Sequence, residues 1–248
     1  MTVKRYWLGL ASLVLMLSVT VYGWLPSASG FDLFKTKPNR GIFIYKIEKD
    51  VQVKKAGSDT WQTAEKKMQV ELGDSLKTGP KSFATLKMCY PGTNSFQLYQ
   101  NTEIIVAELV EGKKPPLKKV NIRTLKGGTW VKLKGVKSKD FKFNVSTPNT
   151  VAAVSGTSLA VIVYSDAETY FCACDGEIDV GLPGKSVVLT RSNGTTVKGG
   201  AAPTAPVNDK YILKKNQYRQ DPRYGWCIHC HDQLRQNQNA DEGGGGGC

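Results

Sequence analysis

The sequence predicts an all-β domain with an export segment before it and a short, partly helical extension after it, and three observations carry that prediction. From residue 41 to about residue 199, apolar and polar residues alternate in short runs. Glycine, proline and aspartate turns separate the runs at even intervals, and no stretch before about residue 210 has the period of an amphipathic helix. Alternation with period two sends successive side chains to opposite faces of a strand, and short strands at regular spacing mark an all-β domain.

The chain opens with the parts of an export signal. Lys4 and Arg5 precede an uncharged run from Trp7 to Leu25, and Ala28-Ser29-Gly30 supplies small residues before Phe31. Residues 1–30 therefore read as a signal peptide or, because residues 7–25 are long enough to cross a bilayer, as an uncleaved anchor with its positive end inside. Either outcome places the rest of the chain outside the cytoplasm, in the periplasm or at the cell surface.

Within the β region, Phe43, Tyr45 and Ile47 alternate, Val51 and Val53 follow, and Gly57-Ser58-Asp59 turns the chain before Trp61. Gly73-Asp74 and Thr78-Gly79-Pro80 punctuate the next segments. Ala84, Leu86 and Met88 share a face up to Pro91-Gly92, beyond which Phe96 to Tyr99, Glu103 to Val110 and Val120 to Leu125 read as strands, the last two separated by a loop at Gly112 to Pro116. After Gly127-Gly128, Val131 and Leu133 point inward with Lys132 and Lys134 to solvent, and Phe141, Phe143 and Val145 repeat the pattern with Lys142 and Asn144 outside. Leu159 to Tyr164 is apolar on both faces, which suits a central strand.

From Tyr170 to Val180, Tyr170, Cys172, Cys174, Ile178 and Val180 fall on one face and Asp175, Glu177 and Asp179 on the other. Cys172 and Cys174 are most simply small buried hydrophobes. A bridge between them would be strained, because same-face neighbours on a strand lie about 6.5 Å apart. Cys89, at the end of another inward-alternating strand, is the better partner for either.

Past Thr195 the composition changes. Residues 200–222 contain a Gly-Ala-Ala-Pro-Thr-Ala-Pro linker and a polar stretch with the makings of a short helix, closed by Asp221-Pro222. Residues 223–242 carry Trp226-Cys227-Ile228-His229-Cys230-His231, and residues 243–248 are a glycine run ending in Cys248, which is low in complexity.

The chemistry of the chain is concentrated in that motif. Cys227-x-x-Cys230-His231 has the spacing of c-type haem attachment: two thiols form thioethers to the haem vinyl groups, and the following histidine becomes the proximal iron ligand. The haem-binding residues are thus Cys227, Cys230 and His231, with His231 as the metal ligand and haem c as the cofactor. Three other readings compete. Thiolates and imidazoles are also zinc ligands, the other half of a site then coming from Cys172 and Cys174. Trp226 with Cys-x-x-Cys looks like a thioredoxin-type redox motif, but no βαβ pattern surrounds it. A plain disulfide is the third. Export favours haem c and disulfides over zinc thiolates.

Composition excludes other classes. The formal net charge is +13, which suits an acidic redox partner or an anionic envelope surface, while export argues against nucleic acid. A solvated, lysine-rich sheet face accounts for most of the lysines. The chain is read as a non-enzyme. Both histidines, His229 and His231, lie in the terminal motif, so the β domain offers no Ser-His or Cys-His pair. Glu177 and Asp179 face outward, and Gly127-Gly128 and Gly199-Gly200 lack the context of a phosphate loop.

An ordered set of positions between residues 41 and 199 resembles the FecR domain. It comprises Val53-Lys54-Lys55-Ala56-Gly57 with Trp61 and Ala64, Leu72-Gly73-Asp74 with Leu76 and Thr78-Gly79, then Ser82, Ala84 and Leu86. Val145-Ser146-Thr147-Pro148 through Val151 and Val154 to Ser155-Gly156-Thr157 follows, and Cys174-Asp175-Gly176-Glu177 closes it. Ser155 stands where many members have arginine. The family's iron-transport regulators have a cytoplasmic sigma-factor-binding segment ahead of the membrane span, for which only Met1 to Tyr6 would be available. The resemblance therefore implies the extracytoplasmic β domain alone, a solenoid-like or sandwich-like binding and assembly module with no catalytic residues.

The sequence thus points to an exported module carrying one covalent haem, for electron transfer or haem-based sensing, with a non-haem envelope module closed by a disulfide or zinc clip as the alternative. The sixth iron position has no obvious ligand. Met68 and Met88 read as core residues, and His229 is held at the edge of its own haem, so the site is either open or filled by a neighbouring copy of the chain, as in a homo-oligomer.

Overall fold

The computed structural model describes residues 41–88, 93–112, 117–134 and 140–208, and among them every regular element is a strand. In chain order these are β1 (Ile42–Glu48), β2 (Val51–Lys54), β3 (Gln62–Thr63), β4 (Gln69–Val70), β5 (Ser75–Thr78) and β6 (Phe83–Met88). There follow β7 (Thr93–Leu98), β8 (Glu103–Glu111), β9 (Leu117–Lys134), β10 (Lys142–Ser146), β11 (Val151–Val154) and β12 (Ser158–Ser165). The last are β13 (Glu168–Asp175), β14 (Glu177–Leu182), β15 (Lys185–Thr190), β16 (Asn193–Lys198) and β17 (Val207–Asn208).

The long strand β9 joins two sheets. Its first half, up to Lys126, pairs with β8 and β10, and its second half, from Gly127, pairs with β7 and β12. Sheet A therefore runs β4-β1-β6-β7-β9-β12-β13-β16-β17, and sheet B runs β3-β2-β5-β8-β9-β10-β11-β14-β15. Every ladder is antiparallel except β9 with β10. Ile44, Leu86, Phe96, Val131, Val161 and Phe171 of sheet A share one buried cluster with Val53, Leu76, Ile122, Phe143, Val145 and Val180 of sheet B. One core between two facing sheets makes this a sandwich, the second of the two arrangements that the FecR resemblance implies.

The bend of β9 is a close crossing. Thr102, at the start of β8, accepts the Gly128 N–H on its hydroxyl at 3.0 Å and reaches the Gly128 carbonyl at 3.0 Å. The Thr102 N–H in turn donates to the Thr78 hydroxyl at 3.0 Å, so buried polar groups at the sheet junction are satisfied by one another. A second polar knot ties the sheets where the Thr147–Thr150 turn joins β10 to β11. Thr147 and Thr169 both donate to the Asn149 side-chain oxygen at 2.9 Å, and the Asn149 amide donates to the Val197 carbonyl at 3.1 Å. The Val145 to Thr157 stretch is thus an architectural motif.

Asp74 anchors the other end. It is 1% exposed; its carboxylate accepts the Ala56 and Glu71 N–H groups at 2.9 Å and pairs with Lys55 Nζ at 2.5 Å. Asp74→Ala strands two backbone donors, and we expect a loss of about 3 kcal/mol in urea unfolding. Burial alone would lower the Lys55 pKa, but hydrogen bonds and charge attraction from Asp74 and Glu71 outweigh it and hold the pKa above the ordinary value. A raised pKa makes the stabilisation complete below the unfolded-state lysine pKa and loses it as pH climbs through the folded-state pKa. Unfolding midpoints should therefore fall by more in the native chain than in Lys55→Met as pH rises above the unfolded-state lysine pKa of about 10.4.

Three expectations need correction. On β1 the core residues are Ile42 and Ile44, while Tyr45 is exposed, because a bulge between Ile44 and Lys46 resets the alternation before Ile47. Lys132 does not point to solvent but is 5% exposed. Tyr170, Cys172 and Cys174 do not share a core with Ile178 and Val180, because the turn at Gly176 moves the chain from sheet A to sheet B.

Gly156 lies in the turn before β12 with φ +64, and an added Cβ would meet nothing within 4 Å. Its role is therefore conformational. Gly156→Val is expected to cost about 2 kcal/mol through left-handed backbone strain alone, read as a lower unfolding midpoint with an unchanged denaturant slope.

Candidate functional site

The chain buries the outward face of sheet A as well as its inward one. β9, β12 and β13 alternate so that Val131, Leu159, Val161, Phe171 and Ala173 enter the main core while Trp130, Ala160, Ile162, Tyr170, Cys172 and Cys174 point away from it. These six form a second buried cluster, flanked by the half-buried Tyr99 and Tyr164. The register aligns them: Trp130 pairs with Ala160 and with Gln97, Ala160 pairs with Cys172, and Ile162 pairs with Tyr170. Trp130 is 1% exposed, and its buried indole N–H has no hydrogen-bond partner among the described residues. The result is an apolar, aromatic strip across three strands, with Lys132 and Ser158 at its upper end.

Outward-facing residues of a sheet are ordinarily wet on one side. Every described strand belongs to sheet A or sheet B, and no described strand crosses this strip.

Cys172 and Cys174 sit on this face, Cys174 at its upper edge, with its sulfur 3.9 Å from the Cys172 carbonyl oxygen. Both are buried, as the sequence implies. Cys174 is disulfide-bonded, and Cys172 is not its partner. The partner lies outside the described residues. Cys89 lies outside them as well, but it directly follows Met88 at the end of β6. Ladder neighbours place β6, β7, β9, β12 and β13 side by side in that order. Four strand spacings amount to about 19 Å, far beyond the Cα separation a disulfide spans. The expectation that pairs Cys89 with either cysteine itself falls outside the described residues.

Cys227, Cys230 and His231, which the sequence reading assigns to haem, lie outside the described residues, as do His229, Trp226 and residues 1–40. Among the described residues there is no cluster of three or more groups able to hold a metal ion. Glu177 and Asp179 are exposed on β14. Met88 is buried in the main core and Met68 packs against it.

The lysines largely occupy wet surface. Lys46 with Glu48, Lys119 with Glu108, Lys126 with Glu103 and Lys198 with Glu168 pair at 2.5–3.7 Å on exposed side chains, Glu103 alone being half-buried, contacts of little net stability. Lys77 and Lys54 lie 4.2 and 5.3 Å from the Trp61 ring centroid, which shields that indole on the outside of sheet B.

No curated protein matches the chain. Crystal structures of a candidate anti-sigma factor from Parabacteroides distasonis, at 2.50 and 1.65 Å resolution, are similar at 13% identity with TM-scores of 0.43 and 0.41. Each comparison covers 56% of this chain and 62% of that one, so less than two thirds of that protein's length is spanned. Residues 74–179, from the Asp74 anchor through the sheet junction into β14, match the family model described as FecR protein.

Proposed function

We propose that this chain is an extracytoplasmic FecR-type binding module that carries one haem c, covalently attached through Cys227 and Cys230 with His231 as proximal ligand, and that it serves one-electron transfer or haem-based sensing in the cell envelope. The observation that carries the proposal is the Cys-x-x-Cys-His spacing in an extension placed after an export segment and a β domain. Haem supplies one-electron chemistry or small-ligand binding when attached; the β domain supplies a rigid platform whose described residues include no histidine and bury or half-bury both methionines. That composition leaves the sixth iron position to solvent, to a small ligand or to a residue of a second copy.

The reading is tested by expressing the full chain in a host with working haem c maturation. A reduced spectrum with a sharp α band supports it, and a colourless product with stoichiometric zinc overturns it. The disulfide at Cys174 favours one second reading, in which Cys227 or Cys230 takes part in a disulfide clip and no haem is attached.

A further inference from the structure

We propose that the outward face of sheet A is the docking face of the chain's own C-terminal stretch, residues 209–248, and that Cys174 tethers that stretch there through a disulfide to one of its cysteines, Cys227, Cys230 or Cys248. Two independent observations carry this. The first is burial: Trp130, Ala160, Ile162, Tyr170, Cys172 and Cys174 are each at most 4% exposed on the side of the sheet that no described strand covers. An aromatic strip of this size has to be shielded by something, and a tail in the same chain is always present at high effective concentration.

The second is the cysteine arithmetic. The chain has six cysteines. Cys174 is bonded, Cys172 is not its partner, and Cys89 follows a strand four spacings away. Only the three C-terminal cysteines remain.

The path of the chain agrees. β17 pairs with β16, and β16 with β13, with Asn208 opposite Asn193 and Asn193 opposite Ala173. The chain therefore leaves the sheet two strand spacings, about 10 Å, from Cys174 and level with it. Eighteen residues lie between Asn208 and Cys227 and thirty-nine between it and Cys248, so each thiol can reach the face.

The bond forms by thiol–disulfide exchange. The Cys174 thiol and the tail thiol together lose two protons and two electrons, and a protein disulfide of the oxidising envelope accepts them and leaves as a dithiol. A cysteine in a thioether cannot also form this bond. The docking proposal does not depend on haem, and the identity of the bonded cysteine separates the two: Cys248 is compatible with haem attachment, whereas Cys227 or Cys230 is not.

The test is trypsin digestion of the oxidised full-length protein. Lys214, Lys215, Arg219 and Arg223 precede the motif, and Arg235 separates Cys227 and Cys230 from Cys248. We expect the cleaved tail to stay with the β domain on a non-reducing gel, to leave it on reduction, and to leave it without reduction in Cys174→Ser. Mass mapping of the linked peptides then names the partner. A link from Cys174 to Cys227, Cys230 or Cys248 supports the proposal. A link to Cys89 or Cys172, or a Cys174 that alkylates without reduction, overturns it. Hydrogen exchange on intact oxidised chain adds a second reading that needs no variant. Protection of the amides in residues 209–248 supports docking, and complete exchange of that stretch within seconds overturns it.

Discussion

Gly127→Ala is expected to leave little folded protein. Gly127 has φ +81, and a Cβ there would lie 2.6 Å from Thr102 Cα and 2.7 Å from the Asn101 carbonyl oxygen. Both are backbone atoms, so no flexible side chain can yield. Relief requires moving β8 from β9 at the sheet junction, which breaks the Thr102 to Gly128 hydrogen bonds inside the sandwich. Left-handed strain of about 1–2 kcal/mol, added to the steric overlap and to two hydrogen bonds of about 1 kcal/mol each, gives a loss of about 4 kcal/mol or more. A domain of ordinary stability would have little left after such a loss. Gly156→Ala is the matched control, since it shares the positive φ but meets open space. Its loss should stay near 1 kcal/mol. Equal, small losses at both positions would mean that β9 does not cross β8 this closely.

The paired substitution Cys227→Ser, Cys230→Ser is expected to have the largest functional effect. Covalent haem should fall from one per chain to none, because no thiol remains at the motif to form a thioether. The urea unfolding midpoint of the β domain should change far less, since its core draws on residues 42–197. Under the second reading, the same variant instead frees the tail in the trypsin experiment and leaves an already colourless protein unchanged in spectrum. His231→Ala separates attachment from ligation: the haem stays bound, and its α band broadens or shifts as the proximal ligand is lost.

Much of the sandwich is legible in the sequence because period-two alternation maps directly onto burial. Ala84, Leu86 and Met88 are buried together as their spacing implies, and Leu159 to Tyr164, apolar on both faces, is the central strand β12 between β9 and β13. Alternation loses its phase where one residue is added: the bulge after Ile44 turns Tyr45 outward, and only the hydrogen-bond register reveals it. A change of sheet is equally silent. Tyr170 to Val180 keeps its even-odd pattern across Gly176, yet its two halves serve different clusters.

The candidate site shows the same limit. Lys132 reads as solvent-facing because its side chain is polar, and nothing local announces that the face it shares with Trp130 is covered. The available signal was Tyr170 to Cys174, which like β12 is apolar on both faces; two adjacent strands of that kind imply a covered outer surface. Glycines divide similarly. Gly127-Gly128 lacks the surroundings of a phosphate loop, and its actual reason, a backbone crossing 25 residues away at Thr102, is a tertiary fact. The terminal motif is the reverse case, since the haem proposal rests on its spacing alone.

Extraction with acidified acetone of the full chain, matured in a host that attaches haem c, tests the central claim most directly. Non-covalent haem partitions into the solvent, whereas haem held by thioethers to Cys227 and Cys230 stays with the precipitated protein. The account predicts that the pellet remains coloured, with one haem per chain and a sharp α band after reduction. A colourless pellet from protein whose export and folding are otherwise intact would contradict it.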